Sequence, residues 1–177
     1  MRTIVVTGSA SGIGAATRKR LMAAGDRVIG VDLRDADILA DLSTAAGRRE
    51  AIERIEALSG GVLDGMVPCA GLMGLDRRPG WILAELNYYG TVELLAAARP
   101  WLARGTQPAV VAISSNSTTT MPGLPVELTR LLLDGTPAEA IALADKVGSP
   151  AAYPAIKLAV AHWVRRQATR PEWAGAG

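Results

Sequence analysis

Apolar residues fall along this chain in short continuous runs that alternate with longer, helically spaced stretches. Thr3-Ile4-Val5-Val6-Thr7 is a β-branched run, as a strand buried on both faces is, and Arg27 to Asp32, Leu63 to Cys69 and Ala109-Val110-Val111-Ala112-Ile113 read as further strands. Ile38-Leu39-Ala40, bracketed by Asp37 and Asp41, is a shorter run of the same kind. Between them the spacing predicts a helix from about Ile13 to Ala24, stopped by Gly25. A second, capped by Ser43 or Thr44, runs to about Leu58 and closes at Gly60-Gly61. A long helix follows from Ile82 to Ala103, and another carries Tyr153 and ends near Ala168. Strands alternating with helices through short loops predict a parallel sheet with helices on both faces.

One segment breaks that rhythm. Residues 116–152 are too many for a structureless loop, and they hold two helical patterns. Val126 to Leu133 ends at Asp134-Gly135, and Thr136-Pro137-Ala138-Glu139 opens a new helix with an N-cap, a proline at N1 and a glutamate at N3. The segment is expected to be a helical hairpin inserted into one domain spanning 1–177. Its leucines, Leu128, Leu131, Leu132, Leu133 and Leu143, with Ile141, must be buried on the same subunit or on a partner. After the last long helix, Arg170 to Gly177 is expected to be a loop.

Composition narrows the possibilities. With 49% hydrophobic residues in 177, the chain can bury a core and is not disordered. Nineteen basic and 17 acidic residues are scattered, so no basic stripe points to nucleic acid. A single cysteine argues against a disulfide framework and for a reducing compartment. No signal peptide is evident at Met1, and no apolar run approaches the ~20 residues of a membrane span, so a cytoplasmic, soluble protein is expected. No His/Cys/Asp grouping has metal-ligand spacing, so no metal is expected.

The chemistry begins directly after the first strand. In Thr7-Gly8-Ser9-Ala10-Ser11-Gly12-Ile13-Gly14, the glycines permit a tight turn and let backbone N–H groups at a helix start approach a pyrophosphate. Asp32, at the end of the second strand, is placed to accept from the ribose hydroxyls of an adenosine. This strand–turn–helix–strand unit predicts a Rossmann-type, doubly wound α/β fold with strand order 3-2-1-4-5.

The glycine spacing, with three residues and then one between the glycines, resembles the short-chain dehydrogenase/reductase family. Further motifs follow in the family's order. Asp41-Leu42 stands where the family holds the adenine, and Cys69-Ala70-Gly71 where it usually has Asn-Ala-Gly. Asn87 lies at its asparagine position, Ser114-Ser115 closes the fifth strand, and Tyr153-x-x-x-Lys157 completes the set. The hairpin and the segments 13–19 and 40–45 resemble the branch of bacterial hydroxysteroid dehydrogenase/carbonyl reductases, with aryl-alcohol (coniferyl-type) dehydrogenases as neighbours.

The resemblance implies NAD binding by Gly8, Ser11, Gly12, Ile13, Gly14, Asp32, Asp41, Leu42, Cys69, Ala70, Gly71, Tyr153 and Lys157. It implies catalysis by Asn87, Ser115, Tyr153 and Lys157. Tyr153 and Lys157 are four apart and share one helix face, so an ammonium can favour the phenolate of a group whose pKa is ordinarily near ~10. Ser115 would donate to the substrate oxygen, Lys157 would bond the nicotinamide ribose, and Asn87 would hold a water on the proton path to Lys157. The Asp32 carboxylate favours NAD over NADP, a preference Arg34 softens. His162 and the four tryptophans are expected to be surface or packing residues, whereas Leu72-Met73 could line a substrate pocket.

The expected function is interconversion of a secondary alcohol and a ketone, a hydroxysteroid or another hydrophobic or aromatic carbonyl compound. A non-catalytic NAD-binding module and an inert, truncated fragment are the alternatives. By the same resemblance, the enzyme should be a homodimer with no nucleic-acid or membrane partner. Strand five should have an open edge, to be completed by further strands beyond residue 177.

Overall fold

Five strands, β1 (Thr3–Thr7), β2 (Arg27–Asp32), β3 (Ile38–Leu39), β4 (Gly65–Pro68) and β5 (Ala109–Val110), form a parallel sheet of order β3-β2-β1-β4-β5. This is a computed structural model, and it describes residues 1–174. β1 is central: Val5 pairs with Ile29 on one side and Met66 on the other. Val5, Val6 and Val31 are fully buried, as strands flanked by crossover helices should be.

The first crossovers are α1 (Gly12–Ala23) and α2 (Ala45–Ser59). Thr44 caps α2 by accepting from the Gly47 N–H at 3.0 Å. The long helix after β4 has three parts: α3 (Gly80–Leu83), a π-helical turn (Ala84–Tyr89) and α4 (Gly90–Leu102). One core lies between the sheet and the α2/α4 pair, with Ile55, Leu94, Leu95 and Trp101 against Val5, Val31 and Met66. It leaves the strand ends, where loops meet the helix starts, free to build a site.

A short helix, α5 (Ser117–Thr120), precedes the hairpin of α6 (Val126–Asp134) and α7 (Pro137–Val147). Thr136 and Glu139 form a reciprocal capping box: the Thr136 hydroxyl accepts from the Glu139 N–H, and the Glu139 carboxylate from the Thr136 N–H. α8 (Ser149–Ala168) follows, and α9 (Pro171–Ala174) ends the described chain. The hairpin buries its apolar face on its own subunit. Leu128, Leu132, Ala140 and Ala144 join Leu83 and Tyr88 of the long helix and Ala155 and Ile156 of α8 in a second core.

Several boundaries differ from the sequence expectations. β5 covers two residues rather than five. Val111 still donates to the Met66 carbonyl at 3.1 Å, but among the described residues no strand lies on the outer side of β5 to hold the residues that follow. The long helix starts two residues earlier than expected, after Pro79 sets the extended entry. The inserted segment ends at Gly148 rather than at residue 152, because α8 begins at Ser149. Residues 171–174 are helical rather than loop, and Trp173 packs edge-on against Trp163 with centroids 6.1 Å apart. The end of that expected loop, residues 175–177, lies outside the described residues.

Candidate cofactor and catalytic site

The ends of β1, β2 and β4 and the first turn of α1 surround a cleft of about 620 Å³. That is within the usual range for a small-molecule or cofactor site, roughly 300–1,000 Å³. Its lining takes in Gly8, Ser11, Gly12, Ile13, Gly14, Asp32, Asp41, Leu42, Cys69, Ala70 and Gly71, each of the non-catalytic cofactor residues expected from sequence. Tyr153 and Lys157 stand outside that lining.

The floor requires glycine. A β-carbon on Gly14 would lie 2.1 Å from the Gly8 carbonyl, and one on Gly8 would lie 2.8 Å from the Ala70 nitrogen. Backbone therefore packs on backbone, and α1 starts at the cleft. Ser11, its N-cap, makes no side-chain capping bond, and the first turn holds no acidic residue. The helix start thus keeps N–H groups and a positive dipole end for an anion. Across the cleft, Asp32 accepts from the Ala10 N–H at 2.9 Å and the Leu33 N–H at 2.7 Å. A carboxylate has about four acceptor positions, so two remain for hydroxyl donors. These residues fit the two ends of an adenosine diphosphate.

Of the remaining expected groups, Asn87 bonds directly to the Cys69–Leu72 loop. Thr7 holds that loop to β1, accepting from the Ala70 N–H at 3.0 Å. Asn87, fully buried in the π-helical turn, clamps it further along: its Oδ1 accepts from the Leu72 N–H at 2.8 Å and its Nδ2 donates to the Leu72 carbonyl at 2.9 Å. The Asn87 backbone carbonyl accepts from the Thr91 hydroxyl at 3.0 Å. Its side chain is therefore committed to the loop, with one Nδ2 N–H and one Oδ1 lone pair left beyond these two bonds.

Lys157 is buried and donates from Nζ to the Ile113 carbonyl at 2.9 Å. Burial pushes its pKa below the ordinary lysine value, and Cys69 acts in the opposite sense. Burial pushes the Cys69 thiol up, with nearby Lys157 opposing. Ser114 turns away from the cleft to donate to the Lys157 carbonyl at 3.0 Å. Ser115 accepts from the Ser117 N–H at 3.2 Å and the Ser117 hydroxyl at 2.9 Å, so its own O–H stays free to donate elsewhere. Tyr153 lies half-buried one turn before Lys157, with its Cβ beside the Gly74 backbone.

The other two tyrosines are poor proton-transfer groups. Burial, reinforced by Glu85 and Glu93, pushes the Tyr89 phenol up to about 12, and burial pushes Tyr88 up further.

The profile of the family described as short chain dehydrogenase matches residues 2–126. The chain belongs to the short-chain dehydrogenase/reductase family. It is 41% identical over 180 residues to the 3-alpha-hydroxysteroid dehydrogenase/carbonyl reductase of Comamonas testosteroni, covering all of this chain and 69% of that protein. The crystal structure of the 3-alpha-hydroxysteroid dehydrogenase from Pseudomonas sp. B-0831, complexed with NADH, superposes with a TM-score of 0.88 at 42% identity, covering 98% of this chain and 74% of that one. A coniferyl-alcohol dehydrogenase from Pseudomonas sp. HR199 is 37% identical over 102 residues, 54% of this chain and 38% of that protein.

As a short-chain dehydrogenase/reductase, the chain is an oxidoreductase of a nicotinamide-dependent family. Its cleft also has walls that the sequence motifs did not mark. Leu33, Ile82 and Leu86 line it, the last two one helical turn apart on the long helix. Their i, i+4 spacing was legible, but it looks the same as any core-facing stripe.

Proposed function

We propose that this short-chain dehydrogenase/reductase binds NAD in the cleft and interconverts a secondary alcohol and a ketone, of which a hydroxysteroid or an aromatic carbonyl compound is the favoured class. One observation carries the reading: a single cleft joins the uncapped start of α1, the Asp32 carboxylate and the Cys69–Gly71 loop. Asp32 favours a free 2′-hydroxyl over a 2′-phosphate, and hence NAD over NADP. The 41% and 42% identical relatives named for hydroxysteroids support the substrate class.

The cofactor, when bound, supplies or accepts the hydride. Tyr153 then gives a proton to the substrate oxygen or takes one from it. The free O–H of Ser115 donates to that oxygen as its negative charge grows. Lys157 keeps a positive charge near the phenol and binds ribose, while Asn87 fixes the Leu72 backbone that borders the site.

The protein is proposed to be cytoplasmic, and no described helix is long and apolar enough to cross a membrane. A homodimer is the proposed assembly, supported by Leu131, Leu133, Ile141 and Leu143, which the hairpin leaves only half-buried. The domain is proposed to gain a further strand along β5, where Val111 stands 55% exposed.

The test is absorbance of the reduced nicotinamide with NAD against panels of steroid, aryl and short secondary alcohols, on the natural polypeptide and on residues 1–177. Turnover of a steroid or aryl alcohol by the natural polypeptide is expected. Its absence with every alcohol overturns the functional reading, and full turnover by residues 1–177 overturns the completed sheet.

A further inference from the structure

We propose that Arg48 is a positioning residue for the adenosine end of the cleft, tying the Asp41–Leu42 rim to the π-helical turn that carries Asn87. The proposal rests on the cofactor reading above. Arg48, in the first turn of α2, has a side chain only 5% exposed. From Nη1 it donates to the Leu42 carbonyl at 3.3 Å and to Glu85 at 2.8 Å; from Nε and Nη2 it donates to Glu93 at 2.7 and 3.3 Å. Its guanidinium carbon also lies 6.0 Å from the centre of the Tyr89 ring. Three segments therefore meet on one side chain: the rim through Leu42, the π-helical turn through Glu85, and α4 through Glu93.

The rim is pressed against these segments by backbone as well. A β-carbon on Gly47 would lie 2.1 Å from the Asp41 carbonyl, and one on Gly90 would lie 3.3 Å from the Leu42 carbonyl. Asp41 and Leu42 thus have little room to move unless α2 and α4 separate, and Arg48 bridges those two helices. Burying a charge for stability alone is a poor strategy, since a well-packed apolar side chain often serves as well. A planar fork with several fixed N–H vectors instead sets the relative position of its partners. Lysine, a point charge on a flexible stem, cannot reproduce that.

From Leu42 the connection runs through Arg48 to Glu85, then two residues along the π-helical turn to Asn87, which holds Leu72 at the other end of the cleft. The rim for the adenosine half and the loop by the reacting half are therefore braced on the same turn of helix.

The experiment measures NADH affinity, with ADP-ribose as competitor, for the wild type, Arg48→Met, Arg48→Lys and Ile55→Ala. Ile55 is buried on the same helix but does not line the cleft, so it controls for a general loosening of α2. Both Arg48 variants should weaken NADH and ADP-ribose by the same factor, about five- to tenfold, the scale of one net hydrogen bond. Ile55→Ala should lower the melting temperature and leave both affinities unchanged. ADP-ribose affinity equal to wild type in a folded Arg48 variant overturns the proposal. So does an equal loss in Ile55→Ala. Should Arg48→Met fail to fold, Arg48→Lys is judged by the same criterion. A wild type that binds neither ligand refutes the cofactor reading itself.

Discussion

At the residue scale, Tyr153 is set apart from Tyr88 and Tyr89 by its surroundings rather than by its type. Tyr88 and Tyr89 are buried, meet edge-on at 5.2 Å and are pushed out of the range where a phenol exchanges protons easily. Tyr153→Phe should cost ~10²–10⁴-fold in turnover while NADH affinity stays near wild type, because only the hydroxyl proposed to transfer the proton is removed. Steady-state kinetics alongside a binding titration checks this, and near-normal turnover would reassign the acid/base role. The pairing of Tyr153 with Lys157 was legible because i, i+4 spacing fixes a shared helix face whatever the tertiary structure. The clamp of Asn87 on Leu72 was not. Its partner is backbone fifteen positions away, and no side-chain pattern marks a peptide group.

At the element scale, local signals were read well where they were self-contained. The Thr136-Pro137-Ala138-Glu139 start of α7 carries its own hydrogen-bond donors and acceptors, so four residues suffice to define it. The extent of β5 depends instead on a neighbouring strand, and beyond the Val111 N–H bond to Met66 the chain leaves the ladder despite the β-branched Ile113. The π-helical turn was equally hidden, since one extra residue per turn barely alters a hydrophobic stripe. Gly80 was not singled out in the sequence, yet it is where α3 meets α7: a β-carbon there would lie 1.9 Å from the Ala144 carbonyl. Gly80→Ala ordinarily helps a helix by up to ~1 kcal/mol. Here backbone collision should reverse the sign, giving a net loss of ~1–3 kcal/mol in urea unfolding. A stabilised variant would show that the two helices separate freely.

For the whole molecule, the alternation of strands and helices was enough to give a parallel sheet, and the glycine turn followed by Asp32 gave its order, the one that dinucleotide-binding sheets use. Which face the hairpin would cover was not legible, since an apolar stripe looks alike whether its partner is the same subunit or another. Acid should loosen the fold through carboxyls paired at its periphery. Hydrogen bonds from Arg2, Arg130, Arg166 and Thr136 hold Asp26, Glu127, Asp134 and Glu139 below their ordinary values of 3.8 for Asp and 4.5 for Glu. The unfolded chain then binds more protons, so this stability is present above those values and is lost as pH falls through the lowered ones. The melting temperature should drop as pH falls below about 4.5, and Asp134→Asn should make the drop shallower. A flat profile over that range would remove these pairs from the account of stability.

The central place of β1 has a consequence for synthesis on the ribosome. β1 is made before both of the neighbours it needs, and the second of them starts only at Gly65. At ~5–20 residues per second, its β4-facing edge waits several seconds for a partner. Throughout that interval, Ile4, Val5 and Val6 form a bare adhesive ribbon on a nascent polypeptide. Slow closure of long loops prolongs the exposure, so the yield of folded protein should be set by chaperone supply during translation more than by equilibrium stability afterwards.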